Sequence, residues 1–351
     1  MSYTVIRFDE REKWDAEVRS MDRRDVYYDV HYCRLYQMRG DGDPYLFVYR
    51  QDGTTNKVIY PFLKQEIKSG PLSGFYFDII TPFGYGGPLA NTTNPAFIEK
   101  FRAAFHEFCV KENIVSEFIR FHPLLQNEKP LQPFLNVKFV REMVFIDLTI
   151  EPEEIFRNIS KSNRNRIRKA RKEGLTHKVL EPEEAAPYLE RFLTLYYQTM
   201  DRNRASRDNY YPPAYFEQLF TDLAQHVKLA AVFYEEKVVT ADLLLCAGDF
   251  IHCHLNAGDP DYFSMGSNAL LNYETALWGR EQGFKYVYLG GGYEKNDSLF
   301  KFKLRFNPTG IVHYYIGTCV HNQRVYTQLV QLWEQKHQQA PKPGYFPHYR
   351  Q

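Results

Sequence analysis

The densest charge in the sequence is the run Lys161, Arg164, Arg166, Arg168, Lys169, Arg171 and Lys172, inside SKSNRNRIRKARKEG. With Ile155, Ile159 and Ile167 as an apolar side, the segment predicts a helix on which Arg164, Arg168 and Arg171 share one face. Guanidinium groups so arranged can bind the phosphates of an RNA or of a nucleotide-linked ligand. A solvated helix face, offset by Glu151, Glu153 and Glu154 at its start, accounts for them about equally well. A second candidate is Lys303 in LFKFKLRFNP (Leu299–Pro308), just beyond Gly290–Gly292. A fixed ammonium there can stabilise an oxyanion or a phosphate. Lys301 and Arg305 alternate with Phe302, Leu304 and Phe306, so on an extended strand all three cations would face water. Tyr293 and Glu294, immediately past the glycines, could contact an amine or accept its proton. The loop TPFGYGGP (Thr81–Pro88) carries Tyr85, with Asp78 just before it. An aromatic ring and a carboxylate can hold a sugar or a peptide amine, although a Pro/Gly turn with no ligand looks the same. His252 and His254 stand at i and i+2 without a third ligand placed near them, so they read as buried hydrogen-bonded histidines and no metal site is expected. No Ser-His-Asp order, paired-carboxylate signature or P-loop occurs.

The elements that would carry these residues fall into two sets. At 351 residues the chain exceeds one ordinary core, and two domains are the natural expectation. In the first, Tyr45–Arg50 and Lys57–Lys64 flank Asp52-Gly53 as a hairpin, and Phe97, Phe101, Phe105 and Phe108 follow Pro95 at helical spacing. SEFIRFHPL and VREMVFIDLTI read as strands. In the second, helices are expected over 152–172, 185–203 and 213–224. An antiparallel meander through 227–258 turns at Glu235-Glu236 and Gly248-Asp249. A helix in NALLNYETALWGREQG, a strand in KYVYLGGG, a strand near 310–318 and a helix over 322–337 complete the chain. The expected class is α/β (mixed α+β), with each domain a mixed, largely antiparallel sheet flanked by helices. The expected domains are 1–150 and 151–318, the segment 319–345 returning to the first.

Composition narrows the function. A net charge of +1 excludes a general polyanion-binding surface, so DNA is not an expected partner and only local patches remain. The 27 Tyr and 27 Phe can line a polar pocket, yet they fill cores more often, so the count alone identifies no site. Five cysteines are scattered, with no CxxC, as in a reduced cytoplasmic protein. The start MSYTVIRFDEREKWD has no apolar leader and no apolar run approaches a membrane span, so a soluble, cytoplasmic protein is expected.

Five stretches, TPFGYGGP, FIRFHPLLQN (Phe118–Asn127), SKSNRNRIRKARKEG (Ser160–Gly174), NALLNYETALWGREQG (Asn268–Gly283) and LFKFKLRFNP, together resemble the Fem family of peptidoglycan aminoacyl ligases. Members of that family carry two tandem domains of the GNAT acyltransferase fold, and the element order above is similar to that fold. The resemblance implies transfer of an aminoacyl group from tRNA to an amine on a cell-wall precursor. It implies that Lys303, the lysine of an FKxxF pattern, lies near the acyl donor and that Asp78 and Tyr85 line the acceptor pocket. The long helical hairpin that some members insert in the second domain is not seen, which leaves the donor open between aminoacyl-tRNA and acyl-CoA. Either would be a co-substrate rather than a permanently bound cofactor. In acyl-CoA-dependent GNAT domains a loop of the form [RQ]-x-x-G-x-[GA] meets a pyrophosphate. The equivalent here is Phe263 to Asn268, which keeps Gly266 but has Phe263 first and Ser267-Asn268 last; those two could instead simply cap the following helix. The expected function is thus an acyl- or aminoacyltransferase, whose partners are a tRNA or a nucleotide-linked wall precursor, with peripheral contact to a lipid-linked substrate. The alternatives are an acyl-CoA-dependent N-acyltransferase and a non-catalytic nucleotide- or RNA-binding protein of the same fold.

Overall fold

Residues 2–68 and 72–351 are described in a computed structural model. They form two units, residues 1–140 with 313–351, and residues 141–312. The sequence had divided the chain at 150 and 318.

The first unit begins with β1 (Ser2–Arg7), α1 (Arg11–Arg19), α2 (Val30–Met38), β2 (Asp43–Arg50), β3 (Lys57–Glu66), β4 (Phe77–Ile80), β5 (Leu89–Ala90), α3 (Pro95–Lys111) and β6 (Ile114–Arg120). α3 forms where it does because the Asn94 side chain accepts hydrogen bonds from the Ala96 and Phe97 amides, and Pro95 fits the first turn. Its Phe97, Phe101, Phe105 and Phe108 are buried against Phe47, Tyr49, Tyr60 and Phe62 of β2 and β3. β4 runs parallel to β6, with Asp78 opposite Ser116, while β1, β2 and β3 pair antiparallel.

The second unit takes in most of β7 (Asn136–Asp147), then α4 (Pro152–Asn158), α5 (Lys161–Lys172), β8 (Thr176–Leu180), α6 (Pro182–Ala185), α7 (Leu189–Arg202), α8 (Pro213–Asp222), β9 (Val227–Tyr234), β10 (Lys237–Ala247), β11 (Phe250–Gly258), α9 (Ser267–Glu281), β12 (Tyr286–Gly290) and α10 (Ser298–Leu304). Its strands lie in the order β7-β12-β11-β10-β9-β8, antiparallel except for β11 with β12. Two expectations are corrected. The single helix over 152–172 is two, because Ile159 and Ser160 are extended and Ser160 caps α5. Leu299–Leu304, alternating like a strand, is the helix α10: Asp297 caps it by accepting from the Phe300 amide at 2.7 Å. A run this short fits either period, and the cap decided it.

The chain ends in β13 (Ile311–Val320) and α11 (Gln323–His337), which from His313 onward belong to the first unit. β13 pairs antiparallel with β6, Ile316 facing Arg120. α11 buries Val325, Leu329 and Trp333 with Ile67, Val115 and Tyr349. Among the described residues no helix is long and apolar enough to cross a membrane.

Candidate active site

In the second unit β11 and β12 are paired only over Phe250–His252 and Tyr286–Tyr288, although β11 continues to Gly258 and β12 to Gly290. Parallel strands that part in this way open a notch in the sheet, and polar side chains converge there. Asp242 of β10 is 2% exposed and accepts a hydrogen bond from Asn256 Nδ2 at 2.7 Å. Burial pushes its carboxyl up to about 6, against the opposing effects of Asn256, the Lys303 charge and Cys253. Lys303, projecting from α10, donates to the Gly291 carbonyl at 2.8 Å. Burial lowers its pKa, and Cys253, Asp242 and Asp297 partly offset the effect. Lys301 on the same short helix and Arg305 just past its end are exposed, so Lys303 is the one of the three cations that turns inward. Phe300 and Phe306 anchor that inward turn, the Phe302 and Phe306 rings meeting edge to face at 5.3 Å.

The loop before α10 is shaped by Asp297. Its carboxylate accepts from the Tyr293 and Glu294 amides at 2.7 and 3.1 Å as well as from Phe300. A Cβ on Gly292 would lie 2.2 Å from Asp297 Oδ1, so only glycine lets the loop close on its cap. The Tyr293 and Glu294 side chains point into solvent, Tyr293 being 64% exposed.

At the start of α9, Gly266 takes φ +92°, and a Cβ there would meet the Arg166 carbonyl at 2.5 Å. The expected capping by Ser267 or Asn268 is not found. Gly266 itself is the cap, no side chain fills the first turn, Ser267 is buried against the Thr240 hydroxyl at 2.8 Å, and the Asn268 carbonyl accepts from Asn272.

On the basic helix α5 the three arginines of the shared face have partners in their own unit. Arg164 donates to the Arg157 and Ile159 carbonyls, Arg168 lies over the Phe156 ring at 5.3 Å, and Arg171 is paired with Glu274 at 2.6 Å while stacked on Tyr273. Each of the three thus has a contact within its own unit, while Lys161, Arg166, Arg168, Lys169, Arg171 and Lys172 all remain exposed. Among the histidines, His254 accepts or donates at 2.8 Å to the Tyr215 hydroxyl, and burial pushes its pKa down to about 3. His252 packs on Tyr288.

In the first unit Asp78 is buried, bound by Ser116 Oγ at 2.7 Å, Tyr349 Oη at 2.6 Å and Arg350 Nε at 2.6 Å. Its carboxylate holds the chain's last residues rather than standing open. Tyr85 is half-buried in a ring cluster with Tyr27, His122 and Tyr314. The loop that carries it is fixed by Tyr32, which donates to the Phe83 carbonyl, and by Asn127, which donates to those of Gly86 and Pro88. Glu117, Cys319 and His321 bring ligand atoms within 4.8 Å of one another, a grouping the sequence did not suggest. Arg102 already binds both Glu117 oxygens, at 3.1 and 2.7 Å, so the protein supplies the countercharge a cation would. Asp242, Asn256 and Cys253 were also missed; each sits within an ordinary-looking strand, and only the sheet's opening brings them to Lys303.

Asp242 carries a pH signature. The folded chain keeps its proton up to about pH 6, whereas the unfolded chain releases it near the ordinary carboxylate value, so stability falls as pH rises between the two. Asp242→Asn should remove that fall, read as urea midpoints at about pH 4.5 and about pH 7. Parallel pH dependence in the two proteins would assign the buried proton elsewhere.

Residues 157–303 match the family model described as "Acetyltransferase (GNAT) domain". None of the curated proteins matches the sequence. Among solved structures, the chain is similar to FemX, at 16% identity and TM-score 0.69 over 93% of this chain and 99% of that one. It is similar to L-PGS from Bacillus licheniformis, at 16% identity and TM-score 0.54 over 87% and 90%. It is also similar to the C-terminal DUF2156 domain of a putative lysylphosphatidylglycerol synthetase from Agrobacterium fabrum, at 15% identity and TM-score 0.53 over 91% and 94%. At such identities the structures speak for the fold, while the match over 157–303 falls on the unit that holds the notch and Lys303. The chain has the GNAT fold, and its residues 157–303 match an acetyltransferase domain of that fold.

Proposed function

We propose that the protein transfers an acyl or aminoacyl group to an amine at the β11–β12 notch of the second unit. The observation that carries this reading is Lys303, the one inward cation of α10, held on the Gly291 carbonyl at the open end of β12. The amine nitrogen attacks the activated carbonyl carbon. The C–N bond forms as the C–O bond of an aminoacyl ester, or the C–S bond of a thioester, breaks. The proton lost by the amine ends on the leaving oxygen or sulfur. Lys303 offers a preorganised charge to the oxyanion that builds up between these events, in a site where burial strengthens it. Asp242 keeps that charge in place. Tyr293 and Glu294, exposed on the loop, are assigned contacts to the acceptor amine.

The resemblance to the Fem family favours an aminoacyl donor carried on tRNA and a nucleotide-linked cell-wall amine as acceptor. Gly266 favours a second reading, an acyl-CoA donor, because a left-handed glycine before an uncapped helix leaves amides available to a pyrophosphate. A third reading is a binding protein without catalysis that uses the exposed cations of α5. A thermal-shift screen with acetyl-CoA, aminoacyl-tRNA and nucleotide-linked muramyl peptides separates the donors, because a ligand that binds only the folded state raises its melting temperature. Binding of a donor together with an acceptor, without product, would remove the proposal of catalysis.

A further inference from the structure

The first unit contains a cleft of about 620 Å³ that the proposed chemistry does not use. Alternate residues of adjacent strands line it: Asp78 and Ile80 of β4, Ser116, Phe118 and Arg120 of β6, and Ile316 of β13. Period-two alternation puts these side chains on one sheet face, and the segment 344–351 closes the other side.

The two charges on that face are balanced differently. The Asp78 carboxylate has Arg350 at 2.6 Å together with two hydroxyls. Arg120 has no comparable partner. Its Nη1 donates to the Thr81 carbonyl at 2.9 Å, and its guanidinium lies over the Phe118 ring at 4.9 Å. Among the described residues no carboxylate comes within ion-pair distance of it. The groups that act on its charge are the Tyr314, Tyr36 and Tyr32 phenols and, less closely coupled than the first two, Asp41; burial outweighs them and disfavours the charge. A guanidinium holds its donors in a rigid fork that matches two oxygens of one oxyanion. Here most of that fork is unused in a half-buried position facing a cleft large enough for a small molecule.

We propose that this cleft binds a small ligand through a carboxylate or phosphate group forked onto Arg120, with the ligand's apolar part against Phe118, Ile80 and Ile316. The site lies wholly in the first unit, and its test is independent of the chemistry assigned to the second. Calorimetric titration of the full chain with N-acetylglycine and with methyl phosphate, in chloride buffers of equal ionic strength, tests it. At least one of the two binds the unaltered protein, and the one that binds names the class. Arg120→Gln weakens that binding on the order of tenfold or more, the scale of a charge-assisted hydrogen bond. Arg120→Lys, which keeps the charge but not the fork, weakens it less, and it serves alone should Arg120→Gln fail to fold. Arg23→Gln, another cation of the same unit, leaves binding unchanged. The proposal is overturned if neither compound binds, if Arg120→Gln or Arg120→Lys binds as well as the unaltered chain, or if Arg23→Gln loses as much as Arg120→Gln.

Discussion

Lys303→Met should lower turnover on the order of 10²–10³ with a native-like fold, because it deletes one preorganised donor to a developing oxyanion. Methionine preserves an unbranched stem, and the lost ammonium was itself costly to bury, so stability should change by less than about 1 kcal/mol. The companion change Lys301→Met removes an exposed cation two residues away and should leave turnover close to that of the unaltered protein. A further readout is specific to the cluster. Without the Lys303 charge, the Asp242 carboxyl should titrate above its value of about 6, because one of the influences opposing its burial is gone. Equal turnover in the two lysine variants would show that Lys303 is a helix anchor and that the notch does not perform acyl transfer. An unmoved Asp242 titration would uncouple the pair.

The largest loss of stability is expected at Arg102 and Glu117. Their side chains are 6% and 0% exposed and face each other through two hydrogen bonds. Burial alone would raise the Glu117 pKa, but Arg102 and His321 outweigh it and hold the carboxyl down to about 2. This folded-state value lies below the ordinary one, so the pair's contribution is complete above the ordinary carboxylate range and is lost as pH falls toward about 2. Arg102→Met should cost about 3–5 kcal/mol near neutral pH, because it leaves a carboxylate buried without its countercharge. Arg102→Met combined with Glu117→Gln should recover much of that, since the stranded charge is gone. Urea unfolding of the single and double variants measures both. A double variant no more stable than Arg102→Met would mean that packing around α3, rather than charge, is what the arginine provides.

These two sites differ in how far the sequence revealed them. The α3 stripe of phenylalanines was legible because apolar spacing of this kind survives without knowledge of partners. The meander through β9, β10 and β11 was legible from its tight turns. Lys303 was found through a motif, yet its inward direction was not, since six residues of alternating Phe and Lys suit a strand as well as a helical turn. Asp242 and Asn256 could not be found at all: their meaning comes from burial and from pairing between β10 and β11, where Asp242 stands opposite Asn256. The arginines of α5 were legible as charge, but their partners were not, for a related reason. Charge density along a helix says nothing of Glu274, a hundred positions away in sequence, which claims Arg171. Asp78 likewise looked like an open ligand until Tyr349 and Arg350, from the far end of the chain, were found on it.

That far end sets a timetable for the nascent chain. β6 waits for β13, with Arg120 paired to Ile316, and Asp78 waits for Tyr349 and Arg350. Residues 141–312 are synthesised in one piece before either partner is made. The first unit, begun earlier, therefore keeps a strand edge and a buried-type carboxylate exposed until residues made after the whole of the second unit reach it. The unit that is started first is the one that can be closed only last.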